Sequence, residues 1–245
     1  PRQQASTNSR RSPCLAPPFS VDGRTALVTG ASRGIGLAIA ELLVEQGAKV
    51  ILVARKQETL EVAAAALRAR GGAAHVIAAH VGNNAGISPP HVESLADTTE
   101  ALWDKVMDVN LKGPFFLSGV IGKKMVARGR GSIINISTTS ALMAQPEIGA
   151  YCVSKAGLNM VTRAFAREFG PHGVRVNAIS CGVIKTAMGD HTLNDPQRYA
   201  DMMKINPLKR AGFPEEVARA VLFFASDASS YSTGTIFQVD GGVLS

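Results

Sequence analysis

The run Thr29-Gly30-Ala31-Ser32-Arg33-Gly34-Ile35-Gly36 joins a short apolar segment, residues 25–29, to a helical period over 34–46. A glycine-rich turn placed between a strand and a helix constrains a chain strongly. Gly30 permits the tight turn, Gly34 lets backbone approach a pyrophosphate, and Gly36 lets helix and strand pack closely. Ser32, Arg33 and Ile35 lie on the same turn. The helix start offers free N–H groups and a positive dipole end to a phosphate. A dinucleotide site on an α/β sheet is therefore the first expectation.

The rest of the chain repeats the alternation. Strands are expected at 49–53, 75–81, 132–137, 174–179 and 235–239. Helices are expected at 58–70, 99–128 with a bend near Pro114, 150–169 and 214–225. Strands alternating with helices predict a parallel, doubly wound sheet with helices on both faces, a single-domain Rossmann fold spanning 21–245. Hydrophobic residues make up 46% of the chain, enough to fill such a core, while aromatics at 5% argue against a β-sandwich. Residues 1–20, with Arg2, Arg10, Arg11 and no acid, read as a disordered or targeting-like tail.

Composition removes several functions. The net charge is +7, but Lys and Arg stand singly or in pairs, so no nucleic-acid partner is expected. Apolar runs fall short of a membrane span. Cys14, Cys152 and Cys181 lack metal or redox spacing, and the five histidines are dispersed, so no metal is expected. The end of the second strand, Val53-Ala54-Arg55-Lys56, holds no carboxylate for a ribose 2′-hydroxyl. Arg55 and Arg33 are placed instead to face a 2′-phosphate, which points to NADP(H) rather than NAD(H).

Tyr151-Cys152-Val153-Ser154-Lys155 puts a phenol and an ammonium one helical turn apart. An ammonium beside a phenol lowers the phenol's pKa, making it a proton donor to a carbonyl or an acceptor from an alcohol. With the turn at 29–36, Asn83-Asn84-Ala85-Gly86, Asn110 after Asp108-Val109, the strand ending Asn135-Ile136-Ser137, and Asp240-Gly241-Gly242, the chain resembles the short-chain dehydrogenases/reductases over 21–245. Its overall look is similar to 3-oxoacyl-carrier-protein reductases and related bacterial-type reductases. The resemblance implies Tyr151 as acid/base and Lys155 tuning it while holding the nicotinamide ribose. It implies Asn110 seating a relay water, Asn84 near the cofactor ribose, Ile184 and Thr186 at the carboxamide, and a substrate lid from 187 to 206. It also implies a small carbonyl or alcohol substrate, a homotetramer or dimer, and a cytoplasmic setting, with organellar import through the basic tail the weaker alternative.

Three departures stand out. Thr138 holds the place of the family's catalytic serine, with Ser137 beside it; either hydroxyl could serve, and Thr138 is preferred. Cys181 replaces a proline. Most consequentially, only Gly82 separates Val81 from Asn83, where the family has a helix and a fourth strand. The third strand belongs about 14 Å from the fourth, and two residues span at most about 7 Å. The sheet is therefore expected to be one strand short, with six strands, and 75–81 to move into the fourth slot. Loss of a helix–strand pair predicts marginal stability. A second reading follows, a non-catalytic relative whose cofactor site the gap has impaired.

Overall fold

The computed structural model describes residues 19–79, 86–88 and 91–245. The strands are β1 (Thr25–Thr29), β2 (Lys49–Ala54), β3 (Ala74–Ala78), β4 (Gly131–Thr138), β5 (Val174–Cys181) and β6 (Ile236–Val239). The helices are α1 (Gly34–Glu45), α2 (Gln57–Ala69), α3 (Glu100–Met107), α4 (Gly113–Val126), α5 (Gly149–Phe169), α6 (Asp190–Leu193), α7 (Pro196–Ile205) and α8 (Pro214–Ala225). A π-helical turn, Asp108–Lys112, joins α3 to α4. The bend expected near Pro114 is therefore a local change of helical pitch just ahead of that proline.

All four strand ladders are parallel, in two sheets ordered β1-β2-β3 and β4-β5-β6. Side chains of β4 and β5 alternate between two cores. Ile133, Val174 and Val176 pack with Phe165 and Phe169 of α5. Ile136, Ile179 and Cys181 join Val28 of β1, Ile39 of α1 and Val217 and Phe224 of α8. That second cluster binds the two sheets into one body, with α1 lying against α8.

Six strands are present among the described residues, as expected, but their placement corrects the expectation. β3 pairs with β2, Val50 opposite Ala74 through Ala54 opposite Ala78, so it keeps the third slot. Gly86 and Ile87 nevertheless lie beside Asn110 and Lys155. The strand ends at Ala78, before the expected Val81. Eight residue steps then separate Ala78 from Gly86, a reach of roughly 26 Å, ample for the slot distance. The mistaken assumption was that the strand kept its full length. Among the described residues no strand joins β1 to β4. Leu27 on β1 is 40% exposed and Ile77 on β3 47%, where parallel strands are ordinarily covered on both faces.

Candidate active site

The turn after β1 has the conformation its glycines permit. Gly30 and Gly34 have φ of +62° and +58°, and Arg33 between them is extended. α1 opens at Gly34 with no acidic residue in its first turn, so its free N–H groups face no competing carboxylate from their own helix. A Cβ at Gly34 would lie 3.3 Å from Thr186 Cγ2. The glycine thus brings the phosphate-type turn against the start of the lid, which places Thr186 beside it. Ser32 and Ile35 are half-buried on this turn, and Gly36 is buried. Arg33 and Arg55 are exposed, with no ion pair among the described residues. These are the features a dinucleotide phosphate would need. Asn84 lies outside the described residues.

The second half of the site sits where β4 ends and α5 begins. The Thr138 hydroxyl neighbours the Tyr151 phenol and acts to lower its pKa. Thr138 Oγ1 also accepts from the Ser140 amide at 3.3 Å, which fixes its rotamer. Ser137, one residue earlier, faces the opposite side of the strand and its Oγ has no hydrogen-bond partner among the described residues. Lys155 is buried, donates to the Ile136 carbonyl at 2.9 Å, and lies 5.9 Å from the Tyr151 ring centre. Asn110 is fully buried in the π turn. Its Oδ1 accepts from Ile87 N at 2.9 Å, and its Nδ2 donates to Ile87 O at 2.9 Å and Ser154 Oγ at 3.2 Å. Its side chain therefore clamps the segment at Ile87 to α5. The extra residue of the π turn aims this side chain inward, a common use of such turns.

Electrostatics in the site are set by burial. Desolvation pushes the Tyr151 phenol above its ordinary value, and the Cys181 sulfur adds to that. The Thr138 hydroxyl pulls the other way. The ammonium was expected to lower this phenol, but Lys155 is not among the groups that shift it. Burial brings Lys155 down to about 8 and takes the Cys181 thiol up to about 12. At neutral pH the lysine is largely a cation and the cysteine a thiol. Ile87, Ser154 and Cys181 as neighbours of the expected residues were not read from spacing. Ser154 lies inside the Tyr-to-Lys stretch, the one signal that pointed to it.

Ile184 is buried and bridges to Gly212. Beyond it, the lid forms α6 and α7, the latter capped by Asp195, whose side chain accepts from Gln197 N and Arg198 N. A cleft of about 470 Å³ is lined by Thr186, Ala187, Asp190, Leu193, Asn194 and Tyr199. Met202 packs inward, while Met188 and Ile205 are exposed. Among the described residues no helix is long and apolar enough to cross a membrane.

A parallel α/β sheet with a glycine turn at one helix start, and a Thr–Tyr–Lys set at the neighbouring strand end, defines a dinucleotide-binding oxidoreductase. The chain belongs to the short-chain dehydrogenase/reductase family. The profile described as short chain dehydrogenase matches residues 24–82, and that described as enoyl-(acyl carrier protein) reductase matches 79–244. The two overlap at residues 79–82, where the sequence departs from the family pattern. The NAD-dependent glycerol dehydrogenase of Listeria innocua is 38% identical over 244 residues, covering 91% of this chain and 95% of that one. The 3-oxoacyl-(acyl-carrier-protein) reductase of Rickettsia prowazekii is 39% identical over 242 residues, covering 92% and 99%. The solved gluconate 5-dehydrogenase from Burkholderia cenocepacia, in complex with NADP and tartrate, superposes with a TM-score of 0.88 at 31% identity, covering 93% and 97%.

Proposed function

We propose that the chain is an NADP(H)-dependent oxidoreductase that moves hydride between the nicotinamide and a carbonyl or alcohol carbon. The observation that carries this reading is the placing of Tyr151 beside the Thr138 hydroxyl, with the buried Lys155 ammonium 5.9 Å from its ring centre. Arg33 and Arg55, exposed beside a β2 end without a carboxylate, support NADP(H). One relative is named NAD-dependent and three solved relatives hold NADP, and this charge supports NADP(H).

The glycine turn and the α1 N–H groups would hold the pyrophosphate, and Ile184 and Thr186 the carboxamide. Bound there, the cofactor supplies or accepts the hydride. Tyr151 gives its phenolic proton to the substrate oxygen during reduction and takes it back during oxidation. Thr138 Oγ1 orients that oxygen. Lys155 holds positive charge beside the site and would hold the nicotinamide ribose. Asn110 acts through position, keeping Ile87 and Ser154 against the catalytic helix. Polar groups in the cleft, Asp190, Asn194 and Tyr199, favour a short hydroxylated substrate over a long acyl chain. Phe115, Phe116 and Val120 of α4, with Met160 of α5, are exposed large apolar side chains that suit a homo-oligomer.

Fluorescence titration with NADPH, and NADH as control, tests the reading. Tight NADPH binding, with Tyr151→Phe lowering kcat by about 100-fold or more while binding persists, is the expected result. A second reading, a non-catalytic relative, is favoured by the unjoined β1 and β4 edges. It wins if the folded chain binds neither nucleotide.

A further inference from the structure

Two of the histidines that are scattered along the sequence meet in the fold. His91 and His191 lie with ring centres 3.8 Å apart, and Glu147 stands beside them. One ligand-type atom from each of the three falls within 4.8 Å of the others. His91 Nδ1 is 2.6 Å from Glu147 Oε2. The three come from different elements. His91 precedes the Ser94 turn, Glu147 lies just before α5, and His191 is on the lid helix α6. Two of them are fixed by backbone, since Val92 N donates to Glu147 O at 3.1 Å. Leu95 then packs where a Cβ on Gly149 would sit.

An ion pair explains part of this cluster. Arg198 Nη1 donates to Glu147 Oε2 at 2.8 Å, and that contact with His91 keeps the Glu147 carboxyl ionised down to about 2. It leaves Oε1 open among the described residues, and it gives no reason for two imidazoles to stack there. Arg198 also has a second acid, Asp195, at 3.6 Å, to which it can turn.

We propose that His91, Glu147 and His191 form a binding site for a zinc-type transition-metal dication that ties the substrate lid to the segment leading into the catalytic helix. Two imidazoles and a carboxylate are a known zinc set that leaves one position for water. Nitrogen donors favour zinc, nickel or copper over magnesium and calcium. Zinc bonds of about 2.0–2.2 Å need the three donors drawn together by modest side-chain rotation. All three side chains are at least partly exposed and free to make it. No atom of Tyr151, Thr138 or Lys155 takes part, so the site stands whether or not the chain turns over substrate.

Cobalt(II) added to the purified 245-residue chain is the test, read by its visible d–d absorption and by displacement with zinc. One equivalent should bind, and His91→Ala and His191→Ala should each weaken binding by about tenfold or more. Arg198→Ala should tighten it, because a competing cation leaves Glu147. Circular dichroism checks that the variants remain folded. Zinc should also slow proteolysis within 187–206 in the native chain and not in His191→Ala. The proposal is overturned if no equivalent of cobalt binds, or if binding is unchanged by both histidine variants.

Discussion

Ser137 and Thr138 are adjacent hydroxyls in different surroundings, because a strand turns successive side chains to opposite faces. The Thr138 hydroxyl neighbours the Tyr151 phenol, while the buried Ser137 Oγ has no partner among the described residues. Thr138→Val should therefore lower kcat/KM by about 100-fold, with Thr138→Ser retaining most activity. Ser137→Ala should leave activity within about twofold and stability unchanged or raised, since it removes an unsatisfied buried hydroxyl. The reverse pattern would move the role to Ser137. Lys155 makes a pH prediction. Its ordinary value is 10.5 and burial lowers it to about 8. Between those values the unfolded chain holds a proton that the folded chain has released, so stability rises with pH. Cys181 acts oppositely above 9.0, because its raised value keeps a proton in the folded chain that the unfolded chain loses. Urea stability should thus rise by about 1 kcal/mol from pH 8 to pH 9 and then level. Lys155→Met should abolish the rise, and Cys181→Ala should let it continue.

At the scale of elements, the end of β2 selects the cofactor. Arg55→Asp should lower NADPH affinity and raise NADH affinity, shifting the ratio by at least about tenfold in paired titrations. An unchanged ratio would assign the 2′-phosphate to Arg33 alone. The residues that made this site legible in sequence are those whose role is local. Gly30 and Gly34 report a backbone conformation, and Tyr151 and Lys155 share a helical turn. Pro214 marks a helix start that falls at the expected residue. What spacing concealed depends on distant partners. Nothing local makes β3 stop at Ala78; the need to reach Asn110 from the third slot does. The π turn at Asn110 is likewise set by Ile87, 23 residues upstream in sequence. The lid helices were read only as a variable stretch, although Asp195-Pro196 is a cap-and-first-turn signal. His91, Glu147 and His191 meet only because three segments converge.

For the whole molecule, the question is whether two sheets without a shared strand pair behave as one folding unit. The link is side-chain packing. Val28 and Leu52 of the first sheet and Ile136 and Ile179 of the second lie in one core with α1 and α8. Phe224 is central to it, 1% exposed and edge-on to Phe223 and Phe237. Its carbonyl accepts from Ser132 Oγ and Arg175 Nη2, both at 2.8 Å, so α8 is also hydrogen-bonded to β4 and β5. Phe224→Ala should cost about 3–5 kcal/mol, lowering the melting temperature by roughly 10 °C for a domain of this size. Hydrogen exchange separates the two possibilities. A single unit requires that amides of β1–β3 and of β4–β6 lose protection by the same free energy in the variant, because the core that fails belongs to both. If only β4–β6 loosens, the sheets are independent. The dinucleotide cleft would then depend on contacts such as Gly34 against Thr186 rather than on a continuous sheet.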